Sequence, residues 1–220
     1  MKNLKFIIAF VVLTFAFTST QAQIAIGPKI GINFSNLGGD GTEGSDTNSL
    51  LGFQLGATAQ INLSENFAIA PELLYWKKGG SASEDFLGVE IEVDQALNYL
   101  EIPVLAKYMF GDEGSTRFYV SGGPSFGIGL NTRVKTSFGD GDEDSAEASF
   151  DEAGLSVFDF SLSLGGGIHL PLGPGTLLFD ARYLFGLSSI TDGDLPGADD
   201  LDVQNRGISV SAGYLFTLGK

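Results

Sequence analysis

Apolar and polar residues alternate along most of this chain with a period of two, the pattern of β-strands whose two faces meet different surroundings. The clearest case runs from Asn98 to Asn131. It reads as two long strands joined by a polar turn at Gly111–Thr116. In the second strand Phe118, Val120, Phe126, Ile128 and Leu130 share one parity with Gly122 and Pro124, while Arg117, Tyr119, Ser121, Gly123, Ser125, Gly127 and Gly129 share the other. The same alternation predicts strands over about 24–34, 51–61, 67–78, 158–170, 177–186 and 208–218. That makes eight, joined by segments that alternate long and short. The long segments are expected as loops over Asn36–Ser49, Gly79–Gln95, Thr132–Leu155 and Ser188–Gln204, and the short turns are Asn62–Asn66, Gly111–Thr116 and Pro171–Gly175. An even strand number with one long-looped end and one short-turned end is the plan of an outer-membrane barrel, with both termini in the periplasm of a Gram-negative envelope.

Parity does not say which face looks inward, so the polar face decides. A soluble periplasmic ligand-binding barrel would carry abundant charge on its outer surface. The polar face here is mostly Gly, Ser, Ala, Asn and Thr, with a few charges of both signs: Lys29, Glu72, Glu101, Lys107, Arg117, Asp159, Asp180 and Arg182. Small residues and a few opposite charges suit the crowded lumen of an eight-stranded barrel. Lys29, Glu72, Glu101, Asp180 and Arg182 fall at similar heights, so Arg182 and Lys29 are expected to pair with at least two of the three acids, with Lys107 nearer the periplasm. Tyr108, Phe110, Phe118, Tyr214 and Phe216 stand near the short turns. Phe34, Phe53, Tyr75, Phe158 and Phe185 stand near the long loops, giving the two aromatic girdles of a membrane barrel. The expected fold class is therefore all-β, an eight-stranded antiparallel up-and-down transmembrane β-barrel over residues 23–220.

Composition sharpens this picture where charge and hydropathy disagree. The formal net charge is −15, yet mean hydropathy is +0.16. The two are compatible because 20 of the 27 acids fall within 40–46, 84–94, 140–152 and 192–202. A chain this acidic repels phosphate backbones, so nucleic acid is excluded as a partner. At the N-terminus, Lys2 and Lys5 precede an apolar run over Phe6–Phe17, and Thr20, Gln21 and Ala22 offer a small-residue cleavage site. This reads as a signal peptide, 1–22, because 12 apolar residues are fewer than the roughly 20 a spanning helix needs. Cysteine is absent, so neither a disulfide nor a lipid anchor on cysteine follows.

Several segments, LSENFAIAPELLYWKKGG, NYLEIP within β-pattern 98–110, the Gly-Gly-Pro at 122–124, and Ala181-Arg182-Tyr183, resemble the PorT-like outer-membrane β-barrel domain family over nearly all of the chain after residue 22. The resemblance implies the fold and an outer-membrane location. Members of that family include a component of a protein-secretion system alongside many barrels of unknown role, and the resemblance brings no catalytic residues.

The remaining chemistry is sparse. Gly122–Gly129 lacks the dinucleotide-binding spacing, and Gly111–Thr116 lacks a P-loop lysine. The one histidine, His169, lies two residues before Pro171 at the periplasmic end, away from any surface substrate, and is expected as a lumen hydrogen-bonding group. No catalytic, cofactor-binding or metal residue is assigned. Asp140, Asp142 and Asp144, and Asp192 and Asp194, place carboxylates at alternate positions, as calcium ligands often are, without completing a twelve-residue calcium loop. Acidic loops outside a membrane are expected to serve solvation, with divalent cations as a possible ligand. The expected partners are outer-membrane lipid, lipopolysaccharide and a protein bound through the loops. The expected function is non-enzymatic: surface binding or adhesion, with secretion accessory as the alternative.

Overall fold

The computed structural model describes residues 23–39, 47–86, 89–138, 142–191 and 202–218. The expected cleaved segment 1–22, Asp140 and the acids Asp192 and Asp194 lie outside the described residues. Nine strands form: β1 Ile24–Gly38, β2 Thr47–Asn62, β3 Phe67–Phe86, β4 Val89–Phe110, β5 Arg117–Phe138, β6 Asp142–Ala148, β7 Phe158–Leu172, β8 Gly175–Gly186 and β9 Gln204–Leu218. All but β6 belong to one antiparallel ring in the order β4-β3-β2-β1-β9-β8-β7-β5, closed by β4 on β5. Closure leaves the eight ring strands without an edge, as lipid demands, because an unpaired backbone group in hydrocarbon costs several kcal/mol.

The faces are those that parity predicts. Ile30 and Phe118 are each 61% exposed and Val210 51%, while Lys29, Glu72, Glu101, Asp180 and Arg182 are all buried. The soluble-barrel alternative fails on this surface, since apolar side chains face outward all round the ring. Aromatic rings pair edge to face at the short-turn end, Tyr108 on Phe110 and Tyr214 on Phe216. Nearer the other end Phe126 lies against Phe160, and Phe53 against Tyr75. The short turns are tight: Gly111, Gly114 and Gly173 adopt positive φ, and the amide of Asn62 donates to the carbonyl of Gln23 at 3.1 Å, which keeps the first described residue at this end.

Two expected loops are strand instead. The segment expected as a loop over Gly79–Gln95 is a hairpin in which β3 and β4 stay in register from Lys78↔Leu97 to Phe86↔Val89. The segment Thr132–Leu155 begins as the end of β5 and returns as β6, a ninth strand paired to β5 from Thr132↔Ala148 to Phe138↔Asp142. The expected boundaries fall short because the apolar parity switches there. Outward apolar positions on β4 are even (Leu100, Ile102, Val104), whereas above Asn98 the apolar residues are odd (Leu97, Val93, Ile91). On β5 the apolar residues stay even (Leu130, Val134, Phe138) and the switch of face is made by a bulge: Asn98 faces Asn131 but Tyr99 faces Gly129, so Leu130 is the extra residue. On β3 it falls at Gly79, whose φ of 132° few other residues adopt.

The face assignment has a direct check. Val210→Arg puts a charge in lipid near mid-membrane and should cost about 2 to 4 kcal/mol in reversible unfolding from bilayers. Ser161→Ala, which removes a buried lumen hydroxyl without a hydrogen-bond partner, should be neutral or slightly stabilising. Equal costs at both sites would contradict the assignment.

Candidate functional site

The lumen is filled in layers, and the central one is ionic. Arg182 on β8 meets Glu72 on β3 with two parallel hydrogen bonds, Nη1 to Oε2 and Nη2 to Oε1, both 2.7 Å. Strands β3 and β8 stand opposite each other, four strands apart in either direction round the ring, so this fork ties the two walls together. Lys29 on β1 lies between them, 3.1 Å from Glu72 and 3.0 Å from Asp180. Arg182 Nε completes the square to Asp180 Oδ1 at 2.9 Å. Asp180 also accepts from Ser211 Oγ at 2.8 Å and Tyr119 OH at 3.2 Å. Two cations and two anions cancel, and the expected pairing of Arg182 and Lys29 with two of the three acids holds for Glu72 and Asp180.

Glu101 belongs elsewhere. It pairs at 2.8 Å with Lys78, which also meets Asp159 at 3.1 Å. The reading that ended a strand at Lys78 left this cation out of the lumen, although it continues the even-numbered inward series Ala70, Glu72, Leu74 and Trp76. Its ammonium lies over the rings of Tyr99 and Trp76, at 4.9 and 5.4 Å. Ser125 donates to Glu101 at 2.7 Å, and Asn205 donates to Asp159 at 3.0 Å and to Tyr99 OH at 3.3 Å. Toward the periplasm the balance reverses: Lys107 has no carboxylate in salt-bridge range among the described residues and rests over Tyr119, 4.6 Å from the ring centre. His169 is buried against the same ring, centroids 4.7 Å apart, and its Nε2 has no hydrogen-bond partner there. The expected hydrogen-bonding role for His169 is thus unmet on that nitrogen.

The extracellular mouth is closed by an apolar cluster that the sequence pattern does not reveal. Leu97 and Tyr99 point in from β4, and Phe150, Leu155 and Ile190 fold over them from the segments flanking β7 and β8. Phe150 stands edge-on to Tyr99 at 5.1 Å, and Gly129 makes room for it, since a Cβ there would meet the Phe150 ring at 2.7 Å. A short turn holds Phe150 in place: Leu155 N donates to Phe150 O at 2.8 Å, and Ser149 donates its amide and hydroxyl to Glu152. The backbone hydrogen bond from Ser149, then its hydroxyl, hold the Glu152 carboxyl below the usual carboxylate range.

Above the ring, β3 to β6 continue as a raised four-stranded sheet with unlike faces. On the lumen side the apolar residues Ala82, Ile91, Val93, Val134, Phe138 and Ala146 alternate with Glu84, Gln95, Thr136 and Asp144. Phe138 is 43% exposed, and a recess of about 220 Å³ opens beside Ala82, Glu84, Ile91 and Val93. The outer face is charged: Lys135 meets Glu143 at 2.7 Å, and Arg133 pairs with Glu147. The hydrogen bond it donates to Glu143 raises the Lys135 ammonium above its ordinary range. Among the described residues no group of three or more acids, histidines or cysteines could hold a metal.

With this geometry in place, comparison with known proteins finds a match to the family described as outer membrane protein beta-barrel domain over residues 18–192. No protein of curated function matches. Among solved structures the fold is similar to Neisserial surface protein A, at 14% identity and a TM-score of 0.52, over 89% of this chain and 97% of that one. Similarity extends to OprG from Pseudomonas aeruginosa, at 14% identity, TM-score 0.46, covering 90% and 97%. The attachment invasion locus protein Ail of Yersinia pestis follows at 17% identity, TM-score 0.42, covering 90% and 100%. The first of these supports the barrel fold.

Two outcomes follow for the lumen and its lid. Arg182→Met leaves Lys29 facing two carboxylates and should destabilise the barrel by about 3 to 5 kcal/mol. Adding Glu72→Gln restores neutrality and should recover part of that loss in a double-mutant cycle. At the lid, Glu152 has a depressed folded pKa, so its contribution is present above the unfolded value near about 4.3 and is lost as pH falls through the folded one. The protection of the Ser149 amide, measured against its intrinsic exchange rate at each pH, should therefore fall on acidification, and Glu152→Gln should remove that pH dependence.

Proposed function

We propose that this chain, which belongs to the outer membrane protein beta-barrel domain family and lies in the cell outer membrane, is a non-enzymatic surface protein that binds a protein partner through its raised sheet. The observation that carries the reading is the length of β3, β4 and β5 beyond the wall. From Leu97 to Val89 alone, β4 rises roughly 25 Å at about 3.3 Å per residue, height that spanning a bilayer does not require. A sheet held clear of the membrane, with a partly apolar face and an acidic edge strand, has the makings of a binding surface.

The lumen supports a binding role over a conducting one. Salt bridges tie its walls together at mid-height and an apolar cluster covers its outer mouth, so no continuous aqueous path suggests itself. A hydrolytic role finds no support, because His169 is buried near the opposite end from the raised sheet.

Lipid contact has its own residues. Among the described residues the cations outside the lumen, Lys77, Arg133, Lys135 and Arg206, all stand at the extracellular end and point outward. Arg133 and Lys135 are paired with acids, whereas Arg206 packs over Phe185 of the upper girdle, 5.2 Å from its ring. Lys77 and Arg206 suit the phosphates of lipopolysaccharide in the outer leaflet. The alternating carboxylates of Asp140–Asp144 and Asp192–Asp194 remain candidates for divalent cations between such phosphates.

The second reading is a PorT-like accessory of a secretion system, favoured by the NYLEIP segment. In the fold, however, Tyr99 and Glu101 of that segment are lumen residues engaged with Phe150 and Lys78. Packing accounts for them, so the segment argues for the family more than for a secretion partner. Removal of residues 1–22 is part of either reading and would leave Gln23 one residue ahead of β1.

The test is to shorten the raised sheet. Replacing 82–93 and 135–145 by tight turns should leave a heat-modifiable barrel in the outer-membrane fraction, with Gln23 as its first residue. It should also abolish cell-surface adhesion and crosslinking to outside proteins. Adhesion unchanged by the trimming would overturn the binding role. Copurification with secretion machinery, and a secretion defect in the deletion strain, would establish the second reading.

A further inference from the structure

At the short-turn end the lumen opens into a cavity of about 200 Å³. Three side chains on its wall are more than nine-tenths buried: His169, Gln60 and Arg117, at 5%, 6% and 8% exposure. Each keeps a polar atom without a hydrogen-bond partner, namely His169 Nε2, Gln60 Oε1 and Arg117 Nε. Arg117 and His169 are directly opposed across β5 and β7. Arg117 is anchored by one amino nitrogen, Nη2, which donates to the carbonyl of Glu65, so the rest of the fork remains available. Gln60 is oriented by its donation to Asn62 Oδ1 at 3.0 Å, which leaves its carbonyl oxygen as an acceptor on the wall.

The charge around this cavity is unlike that of the rest of the lumen. Lys29, Lys78 and Arg182 each contact two carboxylates. Arg117 contacts none, and neither does Lys107, one layer deeper over Tyr119. Among the described residues lining the cavity, Glu113 in the exposed 111–116 turn is the one acid. Two buried cations without counter-charge cost several kcal/mol each in a low-dielectric wall unless an anion joins them. Water can satisfy the orphaned nitrogens but cannot neutralise them. The chain as a whole carries a formal charge of −15, so a net positive pocket here is not a product of composition.

We infer that this periplasmic vestibule is a binding site for a small oxyanion, a carboxylate or phosphate group gripped by the Arg117 guanidinium, with His169 Nε2 as a second donor. A guanidinium edge matches two oxygens of either group in one plane. The volume equals that of about six waters, which admits a small metabolite or the terminal group of a larger one but no folded segment. Gln60 Oε1 and Glu113 provide acceptors for a donor elsewhere on such a ligand.

His169 is the single histidine of the chain, so its imidazole nitrogens report on the site without assignment. The full barrel, refolded in detergent micelles with nitrogen-15 histidine, is titrated with acetate and separately with inorganic phosphate, against chloride at equal ionic strength. The expected result is a saturable shift of the Nε2 resonance with one or both oxyanions, at least tenfold weaker in Arg117→Gln. Which anion saturates identifies the preferred group. If Arg117→Gln does not refold, Arg117→Lys, which keeps the charge and loses the fork, should weaken binding at least threefold. No saturation beyond that of chloride, or an affinity indifferent to the Arg117 substitutions, would overturn the site.

Discussion

An ion inside an eight-stranded barrel has neither bulk water nor lipid headgroups to solvate it, and that constraint organises the molecule. Eight strands close around a space that side chains just fill, so a buried charge costs least when it finds its partner on another wall. Glu72 and Arg182 do so across the full width of the ring. The resulting contacts cross the lumen where a pore would need open space, and they join strands that share no backbone hydrogen bonds. The cross-lumen ties and the blocking of the lumen at mid-height therefore come from the same four side chains. Ion pairs of this kind contribute little net stability over an apolar filling. Their effect is specific: a strand displaced by one residue would turn Lys29 or Glu72 into lipid.

Closure at the outer mouth uses different physics for the same end. Tyr99 is the hinge between the two, its ring under Phe150 and over the Lys78 ammonium, its hydroxyl taking the Asn205 amide. The ionic layers thus end beneath an apolar lid, whereas at the periplasmic end they end in a polar cavity. Toward the cell exterior the lumen ends in buried hydrocarbon; toward the periplasm it ends at Arg117 and His169. The barrel is asymmetric along its axis in chemistry as well as in loop length, and the raised sheet stands on the sealed side.

The barrel wall was legible from the sequence because both faces repeat strictly, and the two aromatic girdles fixed which face was outside. The central square was legible too, since parity and height alone bring Lys29, Glu72, Asp180 and Arg182 together. Lys78 was not, because it sits one residue before the φ break at Gly79 and follows Lys77, which faces outward; two successive lysines hide which one turns in. The lid was illegible for another reason. Phe150, Leu155 and Ile190 are isolated apolar residues in acidic or polar segments, and their meeting depends on Gly129 lacking a side chain, a contact that no periodicity encodes.

The raised sheet was misread for the most instructive reason. Below Asn98 the outward positions are apolar because lipid surrounds them, and the inward ones are polar because they face one another. Above it the same strands meet water on the outside, so outward positions become Arg133, Lys135, Glu143 and Glu147, while inward ones become Ile91, Val93, Val134 and Phe138. The polarity of the faces inverts where the medium changes. A reading that follows apolar parity sees the pattern fail and ends the strand, although the backbone ladder of β3 on β4 continues without a shift. The side-chain bond between Asn98 and Asn131, at 2.9 Å, lies on the outer face where the inversion occurs. Period-two alternation thus records two things at once, the strand and the solvent on each side of it. In a strand that crosses an interface, a break in the pattern marks the edge of the membrane and not the end of the strand.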